Sequence, residues 1–149
     1  MDINNFQRIG SVSNAHAGRE FERIAQQFFS DQGITLAPNF SVPVGVGSLK
    51  KAHKFDLGTE SPPTLVECKS HTWTQGGNMP SGKLTAWNEA MYYFHIAPGS
   101  YRKIFFVLKH LRGEISLANY YITNLGNLIP NDVEIWEYCV TEQLGCRLR

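Results

Sequence analysis

Lys54-Phe55-Asp56-Leu57, a turn-forming segment from Gly58 to Pro63, and then Leu65-Val66-Glu67-Cys68-Lys69 form the stretch on which the reading of this chain depends. Both halves read as strands bounded by glycine and proline. Side chains alternate faces along a strand, so Glu67 and Lys69 share one face while Val66 and Cys68 take the other. Phe55 and Leu57 flank Asp56 in the same way and are expected to send it opposite to both. Pairing of the two strands across the turn then presents Asp56, Glu67 and Lys69 together on the polar face of a hairpin. Two carboxylates and an ammonium at the mouth of an apolar sheet are costly to bury without a partner.

A divalent cation is one such partner. Hard oxygen ligands from two carboxylates suit Mg²⁺ or Mn²⁺, whose shell is often completed by water and phosphate oxygens. Lys69, two residues beyond one of the acids, is placed to orient or deprotonate a water or to balance charge at phosphorus. The reaction this implies is metal-assisted phosphodiester hydrolysis. The other reading is an ordinary cross-strand ion pair on a solvated sheet face.

Working outward, His16 to Gln32 carries Phe21, Ile24, Ala25, Phe28 and Phe29 on one apolar helical face. Ser13 or Asn14 is expected to cap that helix and Gly33 to end it. Strands are expected over Asn39–Val46, His53–Gly58 and Thr64–Ser70, as a meander. A second helix follows over Ser81–His95, with Leu84, Trp87, Met91 and Phe94 inward and Ala97-Pro98-Gly99 as its stop. Lys103–Lys109 reads as a buried strand because its apolar run is continuous, and Asn119–Thr123 and Val133–Cys139 read as two further β segments. The class is α/β, a mixed β-sheet flanked by helices in the order α-β-β-β-α-β with additional strands, in one domain over residues 1–149.

Composition narrows the function. With 149 residues, 42% hydrophobic and 12% aromatic, the chain is suited to one packed core, and Lys plus Arg at 14 against Asp plus Glu at 13 sets up no global basic field. Three cysteines are too few for a disulfide framework. Met1-Asp2-Ile3-Asn4-Asn5 has no secretory character and no apolar run spans a bilayer, so a cytoplasmic protein is expected. Cys68-x-x-His71 raises the question of zinc, but Cys139 and Cys146 offer no complementary pair. Gly-rich phosphate loops and nucleophile elbows are absent from the sequence, which leaves nucleotide kinase and serine hydrolase chemistry unsupported.

Asp56, ten intervening residues and Glu67-Cys68-Lys69 resemble the signature of the PD-(D/E)XK nuclease superfamily, the restriction-endonuclease-like and Holliday-junction-resolvase-like group. Phe55 stands where the name-giving proline would be. The order of elements from Ala15 to Lys109 fits the family core, and Gly18-Arg19-Glu20-Phe21-Glu22 matches its first-helix Gly-x-x-x-Glu run. The resemblance implies that Asp56, Glu67 and the Cys68 backbone carbonyl bind Mg²⁺, with Mn²⁺ as a substitute. It makes Lys69 the catalytic lysine and gives Glu22 a supporting role toward metal or water. It implies a nuclease, foremost a DNA endonuclease. A nuclease-fold module that binds nucleic acid or assembles with a partner, with little turnover, is the alternative.

The neighbourhood suggests DNA contacts. Trp73, in the loop just after the signature, stacks on a base if wet or packs under the loop if dry, with Gln75 and Asn78 as polar contacts and Gly76-Gly77 as a joint. Lys83, in the first turn of the second helix, is a candidate phosphate ligand. Lys54 is the favoured member of the Lys50, Lys51, His53, Lys54 cluster, and Arg102, Lys103, Lys109, His110 and Arg112 form a second basic region. No separate recognition domain is visible, which points to modest specificity or a homo-oligomer.

Overall fold

The computed structural model describes residues 11–149, with side chains from Ala15 onward; Met1–Asn5, read above for targeting character, lies outside them. Helix α1 (Ser11–Ser30) buries Ala17, Phe21, Ala25 and Phe29, an every-fourth-residue stripe. Ser13 and Asn14 fall inside it rather than at its start. Its end is as expected: Gly33 takes φ +87°, its N–H donates to Ser30 O, and the Ile34 N–H donates to Phe29 O. That pair of bonds is a Schellman closure, which favours glycine at the left-handed position.

Strands β1 (Ala37–Val44), β2 (Lys51–Glu60) and β3 (Pro63–Lys69) form an antiparallel meander. Helix α2 (Ser81–His95) carries the chain over to β4 (Arg102–Leu108), which lies parallel to β3. A small hairpin, β5 (Leu111–Arg112) with β6 (Ile115–Ser116), leads into helix α3 (Leu117–Leu125). Strand β7 (Val133–Cys139) runs parallel to β4, and β8 (Leu144–Arg147) closes the edge antiparallel to β7. The result is α/β with a mixed six-stranded sheet, ordered β1-β2-β3-β4-β7-β8, and helices on both faces. No described helix is long and apolar enough to cross a membrane.

Strand β4 shows why its apolar run is unbroken. Ile104, Phe106 and Leu108 pack with α1, whereas Phe105 and Val107 pack with α2 and α3, so both faces of the strand are dry. Phe106 is the hub of the first layer, its ring centroid 5.4 to 5.6 Å from those of Phe21, Phe28, Phe29 and Tyr138. Burying each such ring contributes about 1.5–3 kcal/mol relative to exposure.

The structure departs from the expected elements in several places: the turn expected over Gly58–Pro63 narrows to Ser61-Pro62, with Gly58–Glu60 and Pro63 paired in the ladder, and the β5–β6 hairpin had no counterpart in the expectation. Asn119–Thr123 is helical within α3, because Ser116 Oγ accepts from the Asn119 N–H and Leu117, Ala118 and Tyr121 bury one helical face. Here a cap and a helical stripe outweigh the β preference of Tyr120-Tyr121-Ile122. Strand β8 is short and largely exposed, with little hydrophobic pattern to announce it.

Gly58 tests the packing of the hairpin directly. A β-carbon there would lie 2.6 Å from Phe40 Cγ and 2.8 Å from its Cβ. Gly58→Ala is expected to lower stability by about 1–3 kcal/mol, read as a lower urea midpoint; an unchanged midpoint would refute this close approach.

Candidate active site

Strands β2 and β3 are laddered from the Glu60–Pro63 pair to the Leu57–Val66 pair, and no pairing continues past it. Where the ladder ends, side chains take over its hydrogen bonds. The Asp56 N–H donates to Glu67 Oε1 at 3.2 Å, and the Cys68 N–H donates to Asp56 Oδ2 at 2.8 Å. Each carboxylate thus satisfies the backbone of the opposite strand. The alternation expected around Asp56 breaks at the same point: Phe55 belongs to the α2-side core and Leu57 to the α1-side core. Asp56 is therefore not opposite two like-facing neighbours, because the strand rotates where it leaves its partner.

Glu67 and Lys69 share a face as expected, with Lys69 Nζ 3.7 Å from Glu67 Oε2, while Val66 and Cys68 pack toward α1. Helix α1 adds the fourth group. Glu22 is half-buried beside Asp56, whose carboxyl helps to keep a proton on it, whereas Glu20 is exposed and pairs with Arg23 at 3.2 Å. Asp56, Glu67, Lys69 and Glu22 thus meet at one place, supplied by three elements. The Cys68 thiol is buried and held well above its usual range by that burial, in agreement with a structural role for its side chain.

Three carboxyls this close cannot all ionise cheaply. Burial, and then the charge of Asp56, pushes Glu67 up to about 8. Burial and Asp56 likewise raise Glu22 to about 7. Asp56 is also raised by burial, against the opposing pull of the Cys68 N–H and the Lys69 ammonium.

Beyond β3 the chain turns under α2. His71 is half-buried, and its Nδ1 accepts from the Trp87 indole N–H at 2.8 Å. Burial lowers the imidazole to about 4, helped by the Lys69 and Lys83 charges. The sequence drew attention to His71 only as a zinc candidate; its place two residues past Lys69 was the available signal. Lys83 is exposed in the first turn of α2, as expected, and Lys54 is exposed on β2.

Trp73 corrects the reading of a wet stacking surface. It is 4% exposed, its Nε1–H donates to His110 O, its backbone N–H donates to His110 Nδ1, and the Arg112 guanidinium lies 3.9 Å over its ring. An indole with its N–H satisfied and one face covered is held in the protein. Nor is Gly76-Gly77 a loose joint: the Gly77 N–H donates to Thr74 O, and Gly77 O accepts from Arg112. Gln75 and Asn78 are exposed on this turn, with the Asn78 backbone tied to Thr74. In the second basic region, Arg102 is bidentate to Glu134 and Lys103 pairs with Asp132, so both cations are spent on acids.

Among the described residues, no three of His, Cys, Asp and Glu are disposed as a metal cage. Glu67 Oε1 and Asp56 Oδ2 each accept a backbone N–H, and each carboxylate keeps a second oxygen. The donor set itself, three crowded carboxylates with raised proton affinity, still fits a hard divalent ion by its chemistry. It does not suit zinc through Cys68 and His71: the thiol lies in the core and the His71 Nδ1 is engaged. No family model, curated protein or solved structure matches the chain. The site therefore rests on its own geometry.

The raised carboxyls fix a pH dependence. The folded protein keeps protons that the unfolded chain has released, between about 4.5 and about 8. Stability from this source is full below that window and lost as pH rises through it. Without divalent cation, the melting temperature should fall by several degrees from about pH 5 to about pH 8.5, and Glu67→Gln should flatten that fall; equal slopes in both proteins would refute the assignment.

Proposed function

We propose that this chain is a divalent-cation-dependent nuclease of the PD-(D/E)XK type, acting on DNA as an endonuclease. The observation that carries the reading is the meeting of Asp56, Glu67, Lys69 and Glu22 where the β2–β3 hairpin parts. The helix, three-stranded meander, helix and strand that frame them agree with a restriction-endonuclease-like core. Such crowding of acids beside an ammonium is hard to reconcile with a simple ion pair, which needs one acid.

On this reading Asp56 and Glu67 hold Mg²⁺ or Mn²⁺ together with the Cys68 carbonyl. The cation would supply charge neutralisation at the phosphate and lower the pKa of a water. Lys69, already beside Glu67, orients the attacking water and shields the charge gathering at phosphorus. Glu22, raised to about 7, is ionised in part near neutrality, and in that form its carboxylate would accept the proton that the attacking water gives up. Lys83 and Lys54 supply exposed positive charge for the backbone, with Gln75 and Asn78 at the rim.

The direct test is cleavage of supercoiled, linear, single-stranded and branched DNA with Mg²⁺ or Mn²⁺. Asp56→Asn should abolish it, and Lys69→Met should slow it by roughly 10²–10⁴-fold. Wild-type protein that binds DNA but cuts none of these would move the reading to a binding or assembly module. A second expectation follows from the raised carboxyls: Mg²⁺ binding near pH 7 should release protons. Titration calorimetry in buffers of different ionisation enthalpy reads this release, and a buffer-independent heat would count against carboxylate ligation.

A further inference from the structure

His71 sits beside the candidate site without a part in the chemistry above. Tryptophan's indole N–H can only donate, so the His71 Nδ1 that receives it at 2.8 Å must present a lone pair. The proton of the neutral ring then lies on Nε2. Trp87 is 0% exposed and fixed edge-on to Phe105 and Tyr121, with ring centroids 5.3 and 5.1 Å away, so it holds the imidazole in one orientation. The Tyr121 hydroxyl donates in turn to Asn88 Oδ1 at 2.8 Å. A buried aromatic stack thus ends in one oriented N–H on a half-buried ring.

Resting on the nuclease reading, we propose that His71 contacts the substrate, its Nε2–H binding a non-bridging oxygen of the phosphodiester between Lys69 and Lys83. Both ammoniums lie close enough to bear on the imidazole, and with burial they keep it neutral at physiological pH. A ring with Nδ1 engaged and Nε2 protonated has no lone pair to offer a metal, so it serves an anion and does not compete with the carboxylates for the cation. A donor fixed in advance costs no reorganisation as charge builds on the phosphate oxygens. Cationic Lys69 and Lys83 attract the phosphate; neutral His71 orients it.

Long-range ¹⁵N–¹H spectra of the wild-type protein should show His71 as the Nε2–H tautomer from about pH 5.5 to pH 8. Its ring resonances should move when a short DNA duplex is added in Ca²⁺. Trp87→Phe, which removes the indole N–H, should release the single tautomer. In cleavage assays His71→Leu should lower kcat about 100-fold with a much smaller change in KM, and His71→Gln, which restores an N–H donor at similar reach, should recover most of the loss. An Nδ1–H tautomer, ring resonances indifferent to the duplex, or His71→Leu cutting at the wild-type rate while Asp56→Asn is inactive would each overturn the proposal. Wild-type protein that cuts no DNA but whose His71 resonances move with the duplex would remove the nuclease reading and leave the phosphate contact standing. Should His71→Leu fail to fold, the wild-type spectra and His71→Gln still decide.

Discussion

At the end of the β2–β3 ladder, two backbone N–H groups need acceptors and the opposite strand offers none. Asp56 and Glu67 provide them, each across the gap, and this exchange holds the strands apart without leaving a buried amide unsatisfied. The rest of the site depends on it. Acids committed to the backbone in this way are fixed in position and close together, so each raises the proton affinity of the others. Glu22 joins because α1 must lie over the Val66, Cys68 and Phe106 side of the sheet to bury its own stripe. Packing that the hydrophobic pattern demands thus delivers a third carboxyl to the same place.

The layers around the site are correspondingly stiff. Trp73, His110 and Arg112 lock the loop after β3 against the small β5–β6 hairpin, and Trp87, Tyr121 and Asn88 join α2 to α3 beneath it. Aromatic groups that a sequence offers as candidate base-stacking surfaces are spent here on rigidity. Of the side chains offered as nucleic-acid contacts, those left exposed are polar and cationic: Lys54, Gln75, Asn78 and Lys83.

Much of this was legible in the chain itself. Both long helices, the meander, the buried strand at 102–108 and the α/β class follow from periodicity and from glycine and proline placement, and Glu22 was separable from Glu20 by its position beside the apolar stripe. What escaped reading depended on partners distant in sequence. The helix at 117–125 rests on a cap and on contacts with α2 that its β-favouring tyrosines conceal. In sequence Trp73 reads equally as wet or dry, and its partners His110 and Arg112, nearly forty residues on, make it dry. The parting of the hairpin left no trace in the alternation of Phe55, Asp56 and Leu57, because alternation assumes a continuous ladder.

The parted hairpin also couples the sheet's own hydrogen bonding to the ionic state of the site. Two backbone amides, those of Asp56 and Cys68, are shielded by carboxylate oxygens where the ladder offers no carbonyl. Whatever draws on those oxygens, a proton or a cation, weakens the hold on amides in the middle of β2 and near the end of β3. Solvent exchange at these two positions is thereby a built-in record of occupancy, written in the backbone and readable without reference to any reaction.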